Sequence, residues 1–435
     1  MYFMKKTSRI LMASLLALFT STMFSWAIDI QSVKSSKRLT AWLVEDYTLP
    51  IIAVSFSFEG GTTQDEIGKE GGVRLMTSLF DEGAGELNNV EFQSLAEEKG
   101  VNIRFSAATD DLYGGMSFIR SEMETATRLA KIALTKPRFD EPAIERMRDG
   151  IVKGLERQTT SPGALLGERF RKVFYQSHPY SRPGAGTIES VKALSRHDLV
   201  KLHSRLIARE KLHIGIVGAI SAKEAAILID DIFGELPAKP QLREVPEAEP
   251  NFGSTEKIEF NSPNSILLLA YPGMKRENPD FFAAHLLNHV LGGGTFSSRL
   301  YNEIREKRGL SYGVSSNLAT FDHAAYLSAS TSTRAENTQR ALDIMKSEVA
   351  RVAKDGITAE ELEAAKKYVA GSYAINNLDS SGNIARVLAS LQRLDLGIDY
   401  IESRQEEIKN VTLEKANSIA RKLLSKAPTV VVVGP

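Results

Sequence analysis

The sequence predicts an α+β protein of two similar domains, each a mainly antiparallel sheet with helices packed on one face. Three observations carry this. Short, alternating, β-branched runs are interleaved with helical text within each half. The order strand, helix, strands, helix, helix, closing strand is given twice. A Pro-rich, charged stretch poor in large apolar residues separates the two passes. The closing strands resemble one another, LHIGIVGAI at 212–220 and PTVVVVGP at 428–435. Each half is roughly 200 residues, an ordinary domain size, and the two halves are expected to be pseudo-symmetric with a space between them.

The elements follow in order. MYFMKKTSR carries Lys5, Lys6 and Arg9, and ILMASLLALFTSTMF is an uncharged apolar run ending at Ser25-Trp26-Ala27, small residues at the two positions a signal peptidase reads. Residues 1–27 are therefore expected to be a signal peptide cleaved after Ala27. The chain has no cysteine, which excludes a cysteine-linked lipid anchor and any disulfide and fits export to the bacterial periplasm. No later segment is apolar enough over sufficient length to span a membrane, so no stable anchor is expected after cleavage. Lys and Arg number 54 against 54 Asp and Glu, a balance that gives no support to a nucleic-acid or polyanion partner.

The first domain is expected over 28–237. LTAWLVEDYTLPIIAVSFSFEGG reads as strands with a turn near Leu49-Pro50. A helix is expected from Gly71 to Phe80. NVEFQSLAEEKG is amphipathic through Phe92, Leu95 and Ala96, with Gly100 as its C-cap. VNIRFSAATDDLYGGMSFI alternates like paired strands. Helices are expected over Ser121–Thr135 and Glu141–Thr159, then a loop-rich connection, GERFRKVFYQSHPYSRPGAG. LHIGIVGAI is a buried strand, and SAKEAAILIDDIFGEL is a helix capped by Ser221. A linker is expected over 238–256 and the second domain over 257–435. There NSILLLAYPG reads as a strand, Asp280–Leu291 as a helix, GLSYGVSSNLATFDHAAYLSASTS as strands, and Ala335–Lys354 and Thr358–Asn376 as helices.

EGGVRLMTSLFDEGAG at 70–85 has the frame of a metallopeptidase zinc helix: small residues, an apolar run, a Gly-rich exit. Together with GTTQDEIGKEGGVRLMTSLF, HPYSRPGAGTIESVKAL and LLNHVLGGGTFSSRLYNEIREKRGLSYGV, it makes the whole mature chain resemble one subunit of the pitrilysin/insulinase zinc peptidase family, the inverzincins. The resemblance implies the LuxS/MPP-like metallohydrolase fold, and a second two-domain subunit closing a peptidase chamber with the first. Catalytic members carry H-x-x-E-H on the first-half helix, two His ligands with a Glu general base between them, and a third, Glu, ligand some seventy residues on. In this chain Arg74 stands at the first His, Thr77 at the base and Ser78 at the second His, and the downstream carboxylate position falls near Lys153-Gly154. A guanidinium is always cationic and cannot coordinate. Thr and Ser hydroxyls are poor ligands for zinc, which takes imidazole, thiolate or carboxylate.

The second half offers its own His pair, His285 and His289, one helical turn apart, with Asn288 where a base would stand and Glu361 and Glu363 on the helix expected to carry a third ligand but a few positions early. Asn is no base at neutral pH, and two His beside Leu286, Leu287 and Val290 are more often packed or surface side chains. His178, His197, His203, His213 and His323 are scattered. What the resemblance retains is an Arg/Tyr pair, Arg305 and Tyr312, flanked by Gly309 and Gly313. Family members use such a pair to hold the substrate backbone beside the zinc, and in split members it comes from the subunit without zinc. Gly292-Gly293-Gly294 resembles the glycine-rich loop over the cavity of non-catalytic subunits, a gating loop, and equally reads as a helix C-cap and turn. The expectation is a non-catalytic periplasmic subunit with no metal and no peptidase activity of its own. It would bind peptide substrates through Arg305 and Tyr312 beside a zinc-bearing homologue that holds the zinc. The alternative is a peptide-binding or scaffold protein without a catalytic partner.

Overall fold

The computed structural model describes residues 29–435; the expected signal peptide lies outside the described residues. The first half contains strands β1 (Gln31–Lys34), β2 (Thr40–Glu45), β3 (Ile51–Glu59), β4 (Asn102–Ala107), β5 (Asp111–Ile119) and β6 (Leu212–Gly218). Its helices are α1 (Gly72–Thr77), α2 (Asn89–Glu98), α3 (Met123–Thr135), α4 (Glu141–Thr159), α5 (Pro162–Tyr175), α6 (Ile188–Lys192), α7 (Arg196–Leu206) and α8 (Ala222–Phe233). The second half contains β7 (Thr255–Glu259), β8 (Asn264–Pro272), β9 (Val314–Phe321), β10 (Ala324–Arg334) and β11 (Thr429–Gly434). Its helices are α9 (Phe281–Asn288), α10 (Arg299–Tyr301), α11 (Thr338–Asp355), α12 (Ala359–Asn377), α13 (Ser381–Arg393), α14 (Tyr400–Lys409) and α15 (Leu413–Leu424).

The two sheets have one topology. The first runs β1-β2-β6-β3-β5-β4 and the second β7-β11-β8-β10-β9. Removing β1 leaves the same order, strand for strand. In each sheet a single pair is parallel, β2 with β6 and β7 with β11. The duplication read from the sequence is thus present in the backbone. Residues 237–254 between the halves form an extended strap without helix or strand.

Alternation decides which face each strand buries. On β3, Ile52, Val54, Phe56 and Phe58 enter the first core with α1, α2, α3, α7 and α8, while Ala53, Ser55 and Ser57 point to the opposite face. That face is covered by a helix of the other half. Helix α13 lies on β6 and β3, packing Ala385 and Leu388 against Ala53 and Val217. The approach is so close that a Cβ on Gly215 would stand 2.1 Å from the Ala385 carbonyl oxygen. Gln392 Nε2 donates to the Ile214 carbonyl at 2.6 Å and its Oε1 accepts from the Ile214 N–H at 3.2 Å. Reciprocally, α5 lies on β11 and β8 of the second sheet, through Leu166, Phe170 and Phe174 against Ala270, Val431 and Val433. Each half lends the other a helix, so the expectation of helices on a single face is corrected: the second face of each sheet carries the exchanged one.

The exchange is stitched by polar contacts where the β4–β5 and β9–β10 turns meet. Arg393, at the end of α13, donates to Asp111 at 2.6 Å and pairs with Asp322. Tyr180 donates to Asp110 at 2.9 Å and accepts from the His323 N–H at 3.0 Å.

Three further expectations are corrected. The connection at 167–186 begins as helix: α5 starts after Ser161, whose hydroxyl accepts from the Ala164 N–H, and Leu166, Phe170 and Phe174 recur every four residues to form its buried stripe. The helix expected over 71–80 ends at Thr77, where side-chain hydroxyls take over backbone carbonyls. The helix expected over 280–291 stops at Asn288 and continues as a π-turn, His289–Gly293.

Candidate functional site

The segment expected to be the zinc helix forms the short helix α1, with Ser78 as its C-cap. Asp65 caps α1 from a distance, its carboxylate accepting from the N–H groups of Gly71 at 2.9 Å and Val73 at 2.8 Å. Gly71 has φ 91°, and a Cβ there would stand 2.8 Å from the Ala185 carbonyl oxygen. The HPYSRPGAGT segment therefore locks against the start of the helix. Arg182 fastens the same junction by donating to the Asp65 and Thr63 carbonyls at 2.8 and 3.0 Å.

The residues at the expected ligand positions make other contacts. Arg74 is exposed to solvent. Thr77 is only 2% exposed, and its hydroxyl donates to the Arg74 carbonyl at 3.0 Å. The Ser78 hydroxyl donates to the Leu75 carbonyl at 2.8 Å. Both protons are spent on the helix's own last turn. Helix α4 packs on α1 and so brings in Lys153, exposed, and Gly154, where a Cβ would meet nothing within 4 Å. One guanidinium, two hydroxyls, an ammonium and a missing side chain do not fit zinc. Among the described residues no group of three or more His, Asp or Glu side chains could hold a metal ion.

The second-half His pair is also committed. His285 stacks on the Phe281 ring, centroids 5.8 Å apart and planes 13° apart. Burial, and after it the neighbouring guanidinium of Arg404, pushes its imidazole down to about 4. His289 lies against Tyr368 at 4.8 Å. Asn288 accepts from the Ser316 hydroxyl at 2.7 Å. Glu361 is held by Arg299 at 2.7 and 2.6 Å, and Glu363 accepts from Lys366 at 2.8 Å. The carboxylates that a metal would need are paired elsewhere. The glycines that follow are required by packing. A Cβ on Gly292 would stand 2.6 Å from the Ser316 nitrogen, and one on Gly294 2.8 Å from the His289 carbonyl oxygen.

Arg305 and Tyr312 are placed differently. Arg305 sits on a second π-turn, Asn302–Glu306, a geometry that recurs at functional sites. Its guanidinium lies 4.9 Å over the Tyr301 ring, and Tyr301 meets Phe296 edge-on at 5.3 Å. Tyr312 is 96% exposed. No hydrogen bond or ring contact joins the two side chains among the described residues; Tyr312 stands on the loop that follows the π-turn. That loop is pinned. The Ser311 hydroxyl donates to the Ser332 carbonyl at 2.6 Å, Thr331 Oγ1 donates to the Gly313 carbonyl at 2.8 Å, and Thr333 Oγ1 to the Leu310 carbonyl at 2.6 Å. Gly309, at φ 59°, makes the turn that enters it. Sequence reasoning singled out Arg305 and Tyr312 but missed the loop's supports, since Ser311, Thr331 and Thr333 meet it only when β10 returns beside it.

Comparison with known proteins agrees with this geometry. The family profile described as peptidase M16 inactive domain matches residues 193–369. A non-peptidase homolog of Helicobacter pylori is 24% identical over 384 residues, 87% of each chain. An uncharacterized zinc protease of Mycobacterium leprae is 30% identical over 327 residues, 72% of this chain and 71% of that one. Among solved structures, the peptidase M16 inactive domain from Pseudomonas fluorescens superposes with a TM-score of 0.88 at 27% identity, covering 94% of this chain and 98% of that one. Similarity of that depth over most of a relative's length carries the assignment: the chain belongs to the peptidase M16 family.

Proposed function

We propose that this chain is the non-catalytic subunit of a periplasmic peptidase pair. It encloses peptide substrates together with a zinc-bearing homologue and reaches into that homologue's site with Arg305 and Tyr312. The partner supplies zinc, general base and water. An Arg offers several fixed donors to a substrate carbonyl, and a Tyr hydroxyl donates to a developing oxyanion, and neither needs a metal in its own chain.

The observation that carries the reading is the state of Tyr312. A large ring, 96% exposed, stands on a loop fixed by three hydroxyl-to-carbonyl hydrogen bonds. Ordering a loop costs conformational entropy, and among the described residues the Tyr312 phenol has no hydrogen-bond partner. The test is reconstitution with a zinc-bearing homologue from the same organism and assay of peptide cleavage. Cleavage that needs both chains and falls with Arg305→Ala and Tyr312→Phe supports the reading. A complex that forms and cleaves equally well with both variants moves the scaffold alternative ahead.

A further inference from the structure

A second concave surface lies on the opposite face of the first sheet from α1. It is a groove of 790 Å³ between α13 and the edge strand β4, within the range of ligand-binding clefts. Register explains its shape. Ser55 on β3 faces Gly115 on β5, and Gly115 faces Arg104 on β4; the next row is Ala53, Ser117 and Asn102. The middle of the floor therefore has small side chains or none. A Cβ on Gly115 would meet only the Val54 carbonyl oxygen, at 3.6 Å, so the glycine is not demanded by packing and its absent side chain is groove space. From β4 to β3 is two strand spacings, roughly 10 Å, the width of one extended chain.

The walls carry one sign of charge. Arg104 rises from the edge strand and has no hydrogen bond, ion pair or ring contact among the described residues. Gly382, Arg386 and Ser390 line the other wall, at intervals of four along α13. Arg386 donates to the neutral Asn383 amide oxygen at 2.7 Å; Asp379, bridged to it through Asn383, does not line the groove. No Asp or Glu does. Tyr113, at one end, is turned away toward Asp111 at 3.3 Å.

We propose that this groove binds an extended, acidic peptide segment, its backbone over the Ser55–Gly115 floor and its carboxylates against Arg104 and Arg386. Small residues give an extended backbone close access to the sheet, and two facing guanidiniums match carboxylates spaced along it. This binding does not depend on the zinc-bearing homologue or on Arg305 and Tyr312, so it is measured on the mature chain alone.

The experiment is fluorescence anisotropy with three short labelled peptides, alternating Gly with Glu, with Lys and with Ser, and with a single-stranded oligonucleotide as a polyanion of another class. Saturable binding of the Glu peptide, weakening with added salt, is expected, with the Lys and Ser peptides at least tenfold weaker. Arg104→Glu and Arg386→Glu should each weaken it at least tenfold, and Gly115→Val should abolish it by filling the floor. Arg74→Glu, a charge reversal on the other face, should leave it unchanged. Circular dichroism checks that each variant is folded; if Gly115→Val is not, the two Arg variants decide. Equal binding of Glu and Lys peptides, tighter binding of the oligonucleotide, or Glu-peptide binding indifferent to Arg104→Glu and Arg386→Glu would overturn the proposal.

Discussion

Thr77, expected from the resemblance at a general-base position, is part of the scaffold. Its hydroxyl closes the last turn of α1, and the residue is buried. Restoring the motif at this helix alone, with Arg74→His, Thr77→Glu and Ser78→His, should not produce chelator-sensitive cleavage, because catalytic zinc sites need three protein ligands and Gly154 still offers none. Space for a fourth change exists, since a side chain at Gly154 meets nothing within 4 Å. Zinc uptake is therefore expected first when Gly154→Glu is added, read by metal analysis. Tyr312→Phe in the reconstituted pair should cost about a hundredfold in turnover, the scale of one lost oxyanion donor, and Arg305→Ala should weaken both kcat and KM. His285 gives a pH signature. Its folded value, about 4, lies below the ordinary 6.5, so between these values the unfolded chain binds more protons there and stability falls as pH drops through the window. His285→Gln should therefore lose less urea resistance than the wild type between about pH 7.5 and pH 5. At this scale residue types say what they can coordinate, and Arg74, Thr77 and Ser78 are poor donors for zinc. The exposure of Tyr312 and the solitude of Arg104 were hidden, since both depend on which strands lie alongside.

Among elements, α5 and α13 are the least legible and the most consequential. The stripe Leu166, Phe170 and Phe174 was present in the text, but Gly163, Gly167 and the turn-rich sequence after Gln176 obscured it. A stripe also says only that a face is buried, not that the sheet burying it belongs to the other half. Both helices are sensitive to packing. Phe174 is fully buried and stacked on Phe170 at 4.7 Å, and Phe174→Ala should cost about 3–5 kcal/mol in equilibrium urea unfolding. Gly215→Ala places a methyl group against the Ala385 carbonyl oxygen, where only 2.1 Å is available. It should cost about 1–3 kcal/mol by overpacking, although Ala is the better strand residue elsewhere. Most strands, by contrast, were legible, because period-two burial on β3 and the Val-rich β11 leave no helical alternative; β1 and β7, short strands at the sheet edges, were not read, and β7 begins inside the stretch expected as linker.

For the molecule as a whole, the exchange makes two sheets into one cooperative unit. Arg393 is its polar keystone, bound to Asp111 and Asp322 and close to Glu59 at 4.0 Å. Arg393→Ala leaves these carboxylates facing one another and should cost about 3–5 kcal/mol, with fluorescence and circular dichroism reporting one shared transition rather than two. The balanced total charge, informative about nucleic acid, averaged away the groove between α13 and β4, whose lining includes Arg104 and Arg386 and no carboxylate. The exchanged helices also bear on how the chain could be cut. A protease site inserted at Glu244, exposed in the strap, would sever the peptide but free neither fragment, because each would still have a helix embedded in the other. The nicked protein should elute as the intact one does and come apart only in denaturant. The fragments expressed singly, each with the second face of its sheet bare, should be insoluble and should regain solubility when made together. The chain then behaves as a naturally split protein whose covalent bond between halves is dispensable once folding is complete.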